Sequence, residues 1–143
     1  MFLFRIDLGS KFGLGHYQRV KSLIKYLKIK NYKIVIDNIC DSFFLQNHKK
    51  NITILYENKK KYKDEKNDAR LFLKIVKKER KEVFVIKDSY RLGYLWEKTI
   101  AKHVKKIIVI DDKIEQKHFA DFYINHSPRL CTTDKNDIKY KLN

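Results

Sequence analysis

Hydrophobic and polar positions alternate along this chain in a way that changes period several times. Phe2, Leu3, Phe4 and Ile6 form a short apolar run interrupted by Arg5 and closed by Asp7. A polar, glycine-bearing segment follows to Gly15, and then a helical period sets in, with Tyr17, Val20, Ile24 and Leu27 on one face and Leu23 beside it. Strand, glycine loop and helix in that order predict the opening unit of an open α/β sheet. The rest of the chain is a scaffold for that unit.

The same alternation recurs downstream. Tyr32 to Asp37 predicts a second strand, short and apolar enough to be buried on both faces. Asp41 to Asn47 predicts a short helix with Asp41 or Ser42 as its cap and Phe43, Phe44 and Leu45 inward. Asn51 to Leu55 is a third strand, and the basic run Asn58 to Lys63 is polar without period and reads as a solvated loop. Asp68 to Lys81 predicts a helix, with Ala69, Phe72, Leu73 and Val76 at i, i+3, i+4 and i+7. Val83 to Ile86 is a fourth strand ending at Lys87-Asp88-Ser89-Tyr90. Leu92, Leu95, Trp96 and Thr99 mark a helix to about His103, with Trp96 inward and Glu97 outward. Ile107 to Ile110 is a fifth strand ending at Asp111-Asp112, and Phe122 to Ile124 is a weak sixth.

Apolar strands alternating with amphipathic helices predict a doubly wound parallel sheet with right-handed crossovers. In the strand order 3-2-1-4-5-6 the first and fourth strands are neighbours and the chain reverses direction between them. The polar clusters after the first, fourth and fifth strands (Asp7; Asp88 with Tyr90; Asp111 with Asp112) then line one crevice.

Composition narrows the class without overturning this picture. A length of 143 residues suits one domain, and 43% hydrophobic residues exclude a disordered chain despite 35% charge. No apolar run approaches the roughly 20 residues of a membrane helix, and the amino terminus lacks the pattern of a signal peptide. Cys40 and Cys131 are too few and too distant for a disulfide framework or a zinc site, so a cytoplasmic setting is expected. The formal charge of +16 raises the alternative of a nucleic-acid or anionic-surface binding module. Lys outnumbers Arg, however, and Ile, Asn, Tyr and Phe are abundant with it, a mixture that low-GC coding bias produces without a binding surface.

Candidate chemistry sits in the opening loop. Gly9, Gly13 and Gly15 do not have the G-x-G-x-x-G spacing, because Gln18 stands where the third glycine belongs, and no P-loop run is present. What remains is Gly13-x-Gly15-His16 opening a helix, where free N–H groups and the helix dipole favour an anion. A neutral imidazole there, facing an open crevice, is a candidate general base. Arg19 lies on the same side of the helix, and Asp7 either orients His16 or contacts substrate. In the alternative, His16 merely caps the helix and Arg19 pairs with Asp7. Asp88, Asp111 and Asp112 are open to a similar double reading, since strand-end aspartates often cap the next helix. His48, His103, His118 and His126 have no metal-ligand spacing, and no cofactor is implied.

Arg5-x-Asp7-x-x-Ser10-x-x-Gly13-x-Gly15-His16-x-x-Arg19 resembles the opening motif of the UDP-2,4-diacetamido-2,4,6-trideoxy-β-L-altropyranose hydrolases of pseudaminic acid biosynthesis. The likeness continues at Asp88-Ser89-Tyr90 with Trp96-Glu97, and at Ile110-Asp111-Asp112 with His118, Asp121 and Asn125. It implies a Rossmann-like sheet forming the amino-terminal half of a GT-B-type fold, with residues 1–130 as that domain and 131–143 as a linker or tail. It also implies metal-free hydrolysis of a UDP-sugar at the anomeric carbon, with His16 activating water and Gly13 and Gly15 letting backbone approach the substrate. Tyr90 would stand near the sugar, Asp7 and Arg19 would form the polar frame around the histidine, and these three with Asp88 are the expected substrate-binding side chains. Gly9 and Val20 depart from the family, which has a small hydroxyl residue and a cysteine there. The resemblance assigns most UDP contacts to a second, carboxy-terminal domain, so activity of this chain alone is not expected.

Overall fold

Leu3, Phe4 and Ile6 are completely buried because the strand that carries them, β1 (Phe2–Ile6), runs through the middle of a parallel sheet. In the computed structural model the described residues are 1–8, 14–37, 51–56, 62–112 and 116–125. They form, in chain order, β1, α1 (Gly15–Tyr26), β2 (Tyr32–Ile36), β3 (Ile52–Ile54), α2 (Glu65–Val76), β4 (Phe84–Asp88), α3 (Tyr94–Ala101), β5 (Lys106–Ile110) and β6 (Phe122–Ile124). The predicted helix at 41–47, Gly13, both cysteines and the tail at 131–143 lie outside these residues.

The sheet has the order β3-β2-β1-β4-β5-β6 with every pairing parallel, as the sequence pattern predicts. Register stacks Phe4 beside Ile34 and Ile86, Ile86 beside Ile108, and Ile110 beside Ile124. Successive side chains leave a strand on opposite faces, and both faces are covered here. On one face Phe4, Ile6, Ile34, Ile36, Ile86 and Ile110 pack with Tyr17, Val20 and Ile24 of α1. On the other, Leu3, Val35, Val85, Ile107 and Val109 pack with Ala69, Phe72 and Val76 of α2 and Trp96 and Ile100 of α3.

Element ends depart from the sequence pattern for local reasons. Helix α2 begins a turn earlier than predicted because the Asp64 carboxylate accepts the Asn67 N–H at 2.8 Å, a side-chain cap. It stops at Val76, after which Lys77 to Glu82 offer no apolar side chain to hold a helix on the sheet. Helix α1 ends in a Schellman motif: Ile29 N–H bonds the Ile24 carbonyl, Lys28 N–H bonds the Lys25 carbonyl, and Lys28 has φ 52°. Strand β4 runs on through Lys87 and Asp88, two charged residues that are both buried.

Candidate functional site

The ends of β1 and β4 stay paired, with Ile6 beside Asp88 and the Asp7 N–H donating to the Asp88 carbonyl, and residue parity there decides which face each polar side chain serves. Asp88 has the parity of Ile86 and lies on the α1 face; Arg5 and Asp7 have the parity of Leu3 and lie on the α2/α3 face.

On the α1 face Asp88 meets His16, the second residue of α1. His16 Nδ1 lies 2.7 Å from Asp88 Oδ1. Arg19 Nε donates to Asp88 Oδ2 at 2.8 Å, and its Nη2 lies 3.3 Å from both Asp88 Oδ1 and His16 Nδ1. A guanidinium accepts no hydrogen bond and a carboxylate donates none, so we assign the His16 proton to Nδ1, donated to Asp88. In the neutral ring Nε2 then keeps its lone pair. The Tyr90 ring meets the imidazole edge to face, with centroids 5.2 Å apart. Burial, followed by the hydrogen bond and charge of Asp112, raises the Tyr90 phenol above its ordinary range, which keeps it a neutral donor to Asp112.

The carboxylate that orients His16 is therefore Asp88 and not Asp7. Asp7 is fully buried on the other face, where it accepts from Ser89 Oγ at 2.9 Å and from Arg91 Nε at 3.1 Å. The same parity removes the expected Arg19–Asp7 pair, since Arg19 is held by Asp88. Nor does Asp88 cap the helix after its strand. The N-cap of α3 is Gly93, whose N–H is taken by Glu65 Oε1 of α2 at 2.8 Å, with Trp96 N–H reaching Glu65 Oε2 at 3.3 Å.

The expected open exposure of His16 is also corrected: the residue is 4% exposed, enclosed by Asp88, Arg19 and Tyr90. The open position is its neighbour. Gly15 is exposed, and a Cβ placed there would meet nothing within 4 Å. Its missing side chain leaves free space beside the first N–H groups of α1, which has no acidic residue in its first turn and no side-chain cap.

Two networks were not legible as such in the sequence. In the first, Arg5, completely buried, donates to Asp68 Oδ1 and Oδ2 at 3.2 and 2.6 Å and also bonds Asp37. Asp68 further accepts from Trp96 Nε1 at 2.8 Å and from the Tyr56 hydroxyl at 3.2 Å. Arg91 bridges Asp7 and Asp37 and lies over the Tyr62 ring, 4.6 Å from its centroid. Burial works against the charge of both arginines, and their carboxylate partners outweigh it, raising each above its ordinary range.

In the second network Glu97, expected at the surface, is completely buried against Lys87 and His118. The signal available was position: Glu97 lies three residues before Ile100 and beside Trp96, so it flanks the inward stripe of α3.

Among the described residues exposed lysines occur on both layers, with Lys21 and Lys25 on α1 and Lys66, Lys74 and Lys98 on α2 and α3, so the charge there is dispersed over both. Among the described residues no helix is long and apolar enough to cross a membrane, and no group of His, Cys, Asp and Glu side chains is placed to hold a metal ion. No family model, no curated protein and no solved structure matches this chain.

Proposed function

We propose that the chain carries the base-bearing half of a UDP-sugar hydrolase site, acting on UDP-2,4-diacetamido-2,4,6-trideoxy-β-L-altropyranose. One observation carries the reading: an imidazole Nδ1 lies 2.7 Å from a buried carboxylate at the carboxyl ends of the neighbouring strands β1 and β4. That arrangement leaves Nε2 as the basic nitrogen and gives the imidazolium, once formed, a counter-charge already in place. The residue pattern around His16, Arg19, Asp88 and Tyr90 is the one the family resemblance rests on.

In the proposed step a water oxygen forms a bond to the anomeric carbon while the bond from that carbon to the diphosphate oxygen breaks. The water proton passes to His16 Nε2, and the electron pair leaves with UDP. Asp88 holds the ring through the transfer, and Arg19 holds Asp88. The uncapped first turn of α1 beside Gly15 favours the negative charge of the departing group. The Tyr90 ring packs on the imidazole, and its hydroxyl, whose proton goes to Asp112, keeps lone pairs that serve as acceptors for a sugar hydroxyl.

The test uses the full chain labelled with nitrogen-15. Addition of the UDP-sugar is expected to move the His16 and Tyr90 signals in a saturable way. UDP release is followed with and without a separately expressed carboxy-terminal domain of a family enzyme, and His16→Ala is expected to abolish it. Unchanged spectra at saturating sugar nucleotide, or full UDP release by His16→Ala, would overturn the reading.

A further inference from the structure

The face of the sheet opposite His16 carries a second chain of polar contacts at the same strand ends. Lys87 is completely buried there; its ammonium lies 2.8 Å from Glu97 Oε1 and also donates to the Leu92 carbonyl. Glu97 Oε1 accepts from His118 Nδ1 at 2.8 Å, and its Oε2 takes the Phe119 N–H at 2.5 Å. His118 Nε2 points toward Asp111 Oδ2, 3.8 Å away. The contacts thus run from the end of β4, through α3, to the segment before β6, and back to the end of β5.

Both ends of this chain are backbone neighbours of the candidate site. Lys87 precedes Asp88, which grips His16; Asp111 precedes Asp112, which accepts from Tyr90. Consecutive side chains on an extended backbone point to opposite faces, so any rotation of the β4 end that moves Lys87 moves Asp88 with it. The same coupling joins Asp111 to Asp112. Apolar side chains of similar volume would fill this space at no cost in stability, because buried ions lose about as much in desolvation as they gain in attraction. Ions and hydrogen bonds add direction. A carboxylate held by an ammonium, an imidazole and a backbone amide has few orientations left.

We propose that Lys87, Glu97 and His118 are positioning residues for the His16–Asp88 and Tyr90–Asp112 pairs. From the back of the sheet they set the rotation and spacing of the β4 and β5 ends. The inference rests on His16 being the working base, but its test does not depend on turnover.

The experiment compares the full chain with Glu97→Gln, which keeps the shape but turns one of the two acceptor oxygens that serve His118 and Phe119 into an NH₂ donor, and with Lys87→Met/Glu97→Gln, which leaves no unpaired buried ammonium. Imidazole nitrogen-15 spectra report the His16 tautomer and hydrogen bonding, and ultraviolet titration against Tyr90→Phe reports the phenol. Val76→Ala, in the core at the far end of α2, serves as a control for general destabilisation. Both Glu97 variants are expected to move the His16 ring nitrogen signals and to lower the Tyr90 midpoint, while Val76→Ala moves neither. Folded variants with wild-type His16 nitrogen signals and Tyr90 titration would overturn the proposal. If neither Glu97 variant folds, His118→Gln decides by the same readout. Where UDP release is measurable with the carboxy-terminal domain added, kcat is expected to fall with KM unchanged; where no protein turns over, the spectra alone decide the positioning role.

Discussion

His16 Nδ1 and Asp88 Oδ1, 72 residues apart in sequence, lie 2.7 Å apart where α1 crosses the end of β4. The pair fixes the tautomer of the ring, and that sets the first prediction. Asp88→Asn keeps the shape of the side chain but offers His16 an amide whose N–H₂ can donate to Nδ1, moving the ring proton to Nε2. In serine proteases the corresponding change lowers kcat by about 10⁴ while leaving the geometry intact. Under the proposed function, with the carboxy-terminal domain added, the expected loss in UDP release is roughly 10²–10⁴-fold with an intact fold. The nitrogen-15 spectrum of His16 shows the tautomer exchange directly. An Asp88→Asn protein with a wild-type imidazole spectrum would remove Asp88 from the mechanism.

Glu97 gives the chain a defined acid sensitivity. Burial pushes its carboxyl up, but the hydrogen bond from His118 and the charge of Lys87 outweigh that and hold it below the ordinary value of 4.5. A carboxyl with a depressed folded value contributes stability that is present in full above its unfolded value and is lost as pH falls through the folded one. Urea titrations across pH are therefore expected to show wild type more stable than Glu97→Gln above about pH 5, with the gap closing below pH 4.5. At neutral pH the gap is about 3 kcal/mol, because the Glu97→Gln change leaves the Lys87 ammonium buried beside an uncharged amide. A gap independent of pH would show that Glu97 is not the ionised partner.

Much of the fold was legible because strand and helix impose different periods on apolar residues. Phe4, Ile34, Ile86 and Ile108 sit in one register row, and their runs were all visible as short apolar segments. The strand order came with the doubly wound alternation of strands and helices, and the grouping of the polar clusters was inferred from that order. The partner of His16 was not legible, since choosing between Asp7 and Asp88 requires knowing which parity of β1 and β4 faces α1. Both parities are apolar in a sheet covered on two sides, so hydrophobicity does not distinguish them. Glu97 and Lys87 were hidden for a related reason: a charged residue reads as exposed until its partner, distant in sequence, is known. Arg91, which joins the ends of β1 and β2 through Asp7 and Asp37, has no pattern of its own at all.

Asp68 is the acceptor on which the buried Arg5 network converges, and Trp96, the chain's one tryptophan, donates to it. Asp68→Ala leaves the Arg5 guanidinium, completely buried, with Asp37 as its remaining carboxylate partner, and strips the indole N–H of its acceptor. Removing one side of a buried ion pair costs about 3–5 kcal/mol. The expected result is a large fall in the urea midpoint with a shifted native fluorescence maximum, since the indole environment changes along with stability. An Asp68→Ala protein no more than about 1 kcal/mol less stable than wild type, the cost of an ordinary substitution, would show that the network is dispensable.

Lys28 offers the opposite case, a position where a change should stabilise. It is the residue after the α1 C-cap, held at φ 52°, and the two hydrogen bonds that close the helix run from its own N–H and from that of Ile29. A left-handed conformation brings the Cβ of an ordinary residue too close to the following carbonyl oxygen, at roughly 1–2 kcal/mol, and glycine has no Cβ to crowd. Part of that gain is lost to the greater freedom of glycine in the unfolded chain. Lys28→Gly is therefore expected to raise stability by about 0.5–1 kcal/mol, while Lys28→Val, with a branched Cβ, lowers it by at least as much. Both variants lie at the opposite end of α1 from His16, so the His16 spectrum is expected to stay unchanged. Urea denaturation of the two variants beside wild type checks the order, and a less stable Lys28→Gly would show that the left-handed cap is not what closes α1.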